Sequence, residues 1–390
     1  MENAEKWVGI FGNAPSLTAW KPEQYAKNVT FTYPIPVPFS GSALRVKFSN
    51  RYAAEKVVLS RWAVVRLGEE KEEYRILGEG EAVMLLPGEE YESEAVECVI
   101  SRGDRIFLQL YLEDYTNLSS GVFTSGCLSG GTVSEGCFIG RKPAPERSIE
   151  TGWNYFLTDV SLRTGTENRA VILYGDSITA QDWPDECSRL LMEKPDNRTA
   201  VIRKAVSGTR VLRQYDCSRY RSYGIRGELR FPNETEVRGA DAVLIQHGIN
   251  DIIHPVGTEV NRFRPWSELP TAEEIIEGYR SYIRTAREKG LRVYFGTLLP
   301  IEGWRTYADF REQLKNDVNA WIRSTDEIDG VWDFDLAVRD PGHPAAFKSG
   351  FDSGDHLHPS KEAYREMGRL AFRMLTEEKD ISGRNTNEQI

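Results

Sequence analysis

Ala170-Val-Ile-Leu-Tyr-Gly-Asp-Ser-Ile-Thr179 is an apolar run that stops at a glycine and passes into an Asp-Ser pair. The run from Ala170 to Tyr174 has the composition of a strand buried on both faces. Gly175 allows a tight turn behind it. Ser177 therefore stands at the C-terminal tip of a strand, just ahead of a helix. Two jobs suit a serine there. It can be a nucleophile whose Oγ projects into the crevice beside a helix N-terminus, or it can cap the helix. It is not a G-x-S-x-G elbow, because Thr179 stands where the second glycine would be.

Strand and helix patterns alternate onward from this point. Strands are expected over 170–174, 200–205, 242–246, 292–296 and 330–334, and helices near 182–193, 272–289, 306–324 and 360–377. Thr271-Ala-Glu-Glu has the form of a capping box, and Gly290 is a stop signal. Such alternation predicts an α/β domain on a parallel sheet, with its site beyond the carboxyl ends of the strands.

Three further blocks fall on that rim. Ala205-Val-Ser-Gly-Thr209 follows the second strand, and its Gly208 is either a bare backbone donor or a turn glycine. Gln246-His-Gly-Ile-Asn-Asp251 follows the third. Its Asn250 can donate to an oxyanion or serve an Asn-Asp turn. Asp355-His-Leu-His-Pro359 precedes the last helix, with Pro359 suited to that helix's first turn. The three-residue spacing lets Asp355 hold Nδ1–H of His358 while Nε2 faces a serine. His356 competes for the base role, but neighbouring residues point different ways and His358 is preferred.

These blocks resemble the SGNH hydrolases, also called the GDSL esterase superfamily. Gly175-Asp-Ser177, Gly208, Gly248-Ile-Asn-Asp251 and Asp355 to Pro359 match its four blocks over about 170–377. The resemblance implies a flavodoxin-like three-layer α/β/α domain. It makes Ser177 the nucleophile, His358 the base and Asp355 its orienter, with an oxyanion hole of the Ser177 and Gly208 amides and the Asn250 side chain. It implies no cofactor, and the remaining histidines lack metal-ligand spacing such as H-E-x-x-H.

Before about residue 140 the pattern changes to short β-rich runs broken by turn residues, among them 43–48, 82–86, 95–100 and 105–112. Several alternate with period two, which predicts an antiparallel sandwich of jelly-roll type. The expected division is a β-sandwich over 1–145, a linker over 146–168, the catalytic domain over 169–380 and a flexible tail over 381–390. Leu44-Arg-Val-Lys-Phe-Ser-Asn50 resembles the domain that precedes the catalytic one in the arylesterase and carbohydrate acetyl esterase branch of the superfamily.

The 390 residues suit roughly two domains of about 150 each. A net charge of −10 argues against nucleic acid as partner. No secretory signal and no apolar run of membrane length stands in the chain, so the expectation is a cytoplasmic protein without a membrane contact. Cys98, Cys127, Cys137, Cys187 and Cys217 read as free buried thiols, with a Cys127–Cys137 disulfide as the weaker alternative. Four Asn-x-Ser/Thr sequons begin at Asn28, Asn117, Asn197 and Asn233; they read as chance matches without a secretory signal.

Around the expected crevice stand Trp183, His254, Arg262, Arg264, Trp266, Trp304 and Phe351. They suit stacking on sugar rings and holding their hydroxyls, or they pack the loops. Trp183, His254, Trp304 and His356 are the candidate substrate contacts. The expected substrate is a small-molecule or oligosaccharide ester, with acetyl esters on plant-polysaccharide fragments favoured. Acyl transfer to another hydroxyl and general carboxylesterase or arylesterase activity use the same residues. The intact blocks weigh against a purely carbohydrate-binding protein, and oligomeric state is left open.

Overall fold

The computed structural model describes residues 4–17, 23–68 and 72–384, with side chains to residue 377. Its first part consists of antiparallel sheets. One runs in the order Glu5–Gly12, Leu157–Gly165, Gly41–Ser49, with Glu90–Glu92 and Val96–Ile100 both pairing to the last of these. The other runs Ser148–Thr151, Gly131–Glu135, Val29–Ile35, Ile106–Leu112, Arg61–Leu67, Tyr74–Gly80. Period-two sequence produces these strands: Leu44, Val46 and Phe48 are buried while Arg45 and Lys47 face outward. Both sheets feed one apolar core that holds Val8, Phe31, Phe48, Leu108 and Leu162. Among the described residues no α-helix precedes Ser177.

The expected linker is corrected. Most of residues 146–168 is strand, and Leu157–Gly165 lies between Glu5–Gly12 and Gly41–Ser49 as a central member of its sheet. Val160 and Leu162 are buried there, alternating with Asp159 and Arg163, which are not. That alternation was readable, but the prolines and charges on either side masked it. At the other end the last helix reaches Arg384, past the expected start of a tail. Residues 385–390 lie outside the described residues.

The second part is a five-stranded parallel sheet: β1 Arg169–Gly175, β2 Thr199–Ala205, β3 Ala240–Gln246, β4 Arg292–Gly296 and β5 Gly330–Trp332. Their order is β2-β1-β3-β4-β5, doubly wound with β1 and β3 side by side at the switch point. Helix α1 is Ser177–Ala180, α2 Trp183–Glu193, α3 Gly227–Glu234, α4 Ile249–Ile253, α5 Ala272–Glu288, α6 Asp309–Ser324, α7 Phe334–Val338 and α8 Lys361–Arg384. Helices α2 and α8 pack together, as do α3, α5 and α6. The capping box at Thr271 is present, with its hydroxyl accepting from the Glu274 N–H. Pro359 stands outside the first turn of α8, where Ser360 is the cap: its oxygens accept the Ala363 and Tyr364 amides.

The two parts share apolar contact. Ala170 near the start of β1, and Ala200 and Ile202 of β2, join the sandwich core. All five cysteines are free, but only Cys187 is buried, and Cys127 is exposed. No helix among the described residues is long and apolar enough to cross a membrane.

Candidate active site

The tip of β1 is shaped by crowding. A Cβ at Gly175 would lie 2.4 Å from both the Gln246 carbonyl and Thr179 Oγ1. Thr179 donates to Gln246 Oε1 at 3.0 Å, so it ties the turn to β3 where an elbow would have its second glycine. Asp176 caps α1 by accepting the Ile178 N–H at 3.0 Å. Ser177, the first residue of α1, is thereby released from capping, and its Oγ lies 2.9 Å from His358 Nε2.

The loop before α8 completes this chain. His358 Nδ1 lies 2.7 Å from Asp355 Oδ2. Asp355 Oδ1 accepts the His358 N–H at 2.8 Å, the Leu357 N–H at 3.0 Å and the Ser353 hydroxyl at 3.1 Å. Burial opposes the charge on Asp355, but the His358 ring and these backbone donors outweigh it and hold its carboxyl well below the ordinary carboxylate range. Ser177, His358 and Asp355 thus form one continuous relay between residues 181 positions apart. His356 stays out of it: at φ 64° its backbone turns its ring onto Gly303 and pairs it with Asp352.

Gly208 and Asn250 are brought to one rim by mutual bonding. Asn250 Nδ2 donates to the Thr209 carbonyl at 3.0 Å, and His247 Nε2 lies 3.1 Å from the same oxygen. Asp251 accepts the Val211 and Leu212 amides at 2.7 and 3.0 Å. The loop after β2 is therefore tied to α4 at several points. Gly208 needs to be glycine twice over: its φ is +80°, and a Cβ would lie 2.3 Å from the Tyr223 ring. The Asn250 amide keeps a second hydrogen for another acceptor.

Two buried carboxyls underlie the rim. Burial pushes Asp176 up to about 7, against the pull of the Ile178 amide and His358. It likewise pushes Asp251 up to about 6, against the Leu212 and Val211 amides. Oδ2 of Asp176 has no hydrogen-bond partner among the described residues.

The candidate substrate contacts fare unevenly. Trp183 is a correction: it is fully buried, 5.0 Å from the Phe334 ring, and belongs to the core. An amphipathic helix start and a crevice loop look alike in sequence, and packing against α8 decided the matter. His254 is buried and stacked on Tyr223 at 5.3 Å. Burial, aided by Arg264 and Arg210, holds its pKa well below the ordinary histidine value. It braces the aromatic cluster beside Gly208, where Tyr215, Tyr220 and Arg264 also pack. Trp304 is half-buried, with Arg305 over its ring. Trp266 is exposed and packs on Phe310, Arg262 lies over Phe263, and Phe351 is half-buried beside Lys348.

Two neighbours of the relay escaped the sequence. Gln181 donates to the Ser177 carbonyl at 3.2 Å. A loop of the sandwich also docks beside α1. The Ser125 amide donates to the Ala180 carbonyl at 3.2 Å, and the Leu128 amide and Ser129 hydroxyl donate to Asp185 at 2.7 and 2.8 Å. Buried Arg203 bonds the Ser125 and Ala180 carbonyls, Ser129 and Asp185 together. No local pattern could announce the contacts of this sandwich loop, whose partners stand more than fifty residues away.

A parallel sheet with this rim of Gly-Asp-Ser, Gly, Gly-x-Asn-Asp and Asp-x-x-His defines a class of ester hydrolase built on strand-tip loops. Residues 173–366, which hold most of the parallel sheet and this rim, match the GDSL-like lipase/acylhydrolase family. No curated protein matches the chain in sequence. Solved structures similar to it include a GDSL-like lipase from Bacteroides thetaiotaomicron, at 17% identity over 54% of this chain and 88% of that one, TM-score 0.38. A member of the lipolytic G-D-S-L family from Veillonella parvula has 16% identity over 53% and 98%, TM-score 0.35. A variant of an acetyl xylan esterase from Geobacillus stearothermophilus has 17% identity over 53% and 95%, TM-score 0.39.

Proposed function

We propose that this chain is a serine esterase that removes short acyl groups, acetyl above all, from carbohydrate. The observation that carries the catalytic half of this reading is the unbroken relay from Ser177 Oγ through His358 to Asp355. In the proposed reaction His358 Nε2 takes the Ser177 proton as Oγ attacks the ester carbonyl. The resulting imidazolium is stabilised by Asp355, which stays ionised because its backbone donors favour the charge. The tetrahedral oxyanion rests on the Ser177 and Gly208 amides and the free hydrogen of the Asn250 amide, each donor worth about 3 kcal/mol of barrier. His358 then protonates the leaving alcohol, and water resolves the acyl-enzyme by the same proton path.

The carbohydrate half rests on the character of the rim. Tyr223, beside Gly208, and Trp304, with Arg305 over its ring, are half-buried aromatic rings on its loops, of the kind that stack on sugar rings. Incubation with acetylated xylan and mannan fragments is expected to release acetate. Hydrolysis of p-nitrophenyl acetate without acetate release from either polymer would replace this reading with a general esterase.

A further inference from the structure

A cavity of about 610 Å³ lies where the sandwich meets the α/β domain. Ser16, Arg51 and Tyr52 line it from the sandwich, and Gln214, Ser218 and Arg221 from the long loop between β2 and α3. Its volume falls in the range of small-ligand sites, about 300–1,000 Å³. Its wall touches the catalytic turn through the backbone. Val206 N–H donates to the Gly175 carbonyl at 3.1 Å, and Arg230 Nη2 donates to the same oxygen at 2.7 Å. Ser177 lies two residues beyond Gly175 and Gly208 two beyond Val206, and two residues span at most about 7 Å. The sandwich also holds the lining loop in place, since Ser16 Oγ donates to the Ser222 carbonyl at 3.1 Å beside the Tyr223 that covers Gly208.

The lining mixes polar groups with apolar ones such as Leu17, Val206 and Ile225, without a strong net field. Arg230 is paired with Glu234, and Arg51 with Glu90 at 2.8 Å. That leaves exposed Arg221 and Asp216, of opposite sign. Such a surface offers donors and acceptors in both senses with a tyrosine ring, which suits a neutral polyhydroxylated ring better than a phosphate, a uronate or an acyl chain.

We propose that this interdomain cavity is a glycosyl subsite, which holds neutral sugar units next to the acetylated unit at Ser177, so that the substrate is an oligosaccharide gripped by both domains. This rests on the carbohydrate esterase reading above. The test compares kcat/KM on acetylated xylo-oligosaccharides of two and six units with kcat/KM on p-nitrophenyl acetate, for the full-length protein and its Arg221→Ala and Tyr52→Ala variants. The Arg221 side chain is exposed and bonds no neighbour among the described residues, so its removal is not expected to disturb folding. The expected result is a preference for the six-unit substrate in the unaltered protein. In both variants KM for that substrate rises at least about fivefold, and the ratio of six-unit to p-nitrophenyl acetate efficiency falls by a similar factor. A ratio unchanged in both variants overturns the subsite alone. Unaltered protein that cleaves p-nitrophenyl acetate but neither oligosaccharide overturns the carbohydrate reading, and the subsite with it.

Discussion

The two parts of the molecule treat charge in opposite ways. Among the described residues up to 168, Asn, Gln, Ser and Thr are buried but no Asp, Glu, Lys or Arg is. Beyond that point the buried groups include Asp176, Asp185, Arg203, Lys204, Arg230, Glu234 and Asp251. The sandwich keeps its ion pairs in contact with water, and Arg61–Glu79 is half exposed. The α/β part buries ionisable groups beneath the rim, along the junction, and in α6 and α7, where Arg311, Lys315 and Asp335 lie. At the junction those charges are satisfied by the sandwich's backbone. Lys204 Nζ donates to the Asn13 and Thr158 carbonyls as well as to Asp159, and Arg203 donates to the Ser125 carbonyl. The lesson is that the sandwich acts as a structural complement to the catalytic part. Without the sandwich, Lys204 of β2 would lose both carbonyls and Asp159, whereas Arg203 would keep Asp185 and the Ala180 carbonyl.

Four substitutions probe that contrast. Ser177→Ala, at the rim, is expected to lower p-nitrophenyl acetate turnover by at least about 1,000-fold with melting temperature nearly unchanged. Retained turnover would remove Ser177 from the chemistry. Arg203→Ala, at the junction, leaves Asp185 buried without its cation and is expected to destabilise the fold by about 3 kcal/mol in urea unfolding. A loss within 0.5 kcal/mol, the ordinary range for a surface change, would mean the junction is wetter and looser than its geometry.

The third is a pH effect. Folded Asp176 keeps its proton to about pH 7, whereas the unfolded chain releases it near ~3.9. Between those values the native state binds the extra proton, so this group's contribution to stability falls as pH rises from about 4 to 7. Asp176→Asn does not titrate, so its unfolding free energy in urea, relative to that of the unaltered protein, should rise between pH 5 and pH 8 by an amount on the order of a few kcal/mol. A constant difference across that range would show the carboxyl to be ionised throughout. Last, Arg61→Ala on the sandwich should change stability by no more than about 0.5 kcal/mol, because both partners are half in water. A loss like that of Arg203 would erase the contrast between the two parts.

Much of this was legible along the chain. The five parallel strands fall within a few residues of their expected positions, because strands buried on both faces are continuous apolar runs. The Thr271 capping box was legible because both of its partners lie within four residues. The bringing together of Ser177, Asp355 and His358 was also foreshadowed, since each block closes a strand or opens a helix on the same edge of the sheet. What failed to show was of two kinds. Short helices such as α3, α4 and α7 carry too few residues for a period to register. Trp183 was misplaced because sequence says that a ring will be buried or stacked, not against what.

The sequence by itself determined the class of fold, the four rim blocks and the order in which they arrive, since each is a local pattern of period, turn and cap. Only the tertiary structure decided which strand fills the centre of the first sheet and that a loop from the sandwich reaches α1. Those outcomes depend on contacts between residues far apart in the chain. The cavity between the parts has the same origin, because its two walls meet only when the chain has closed on itself.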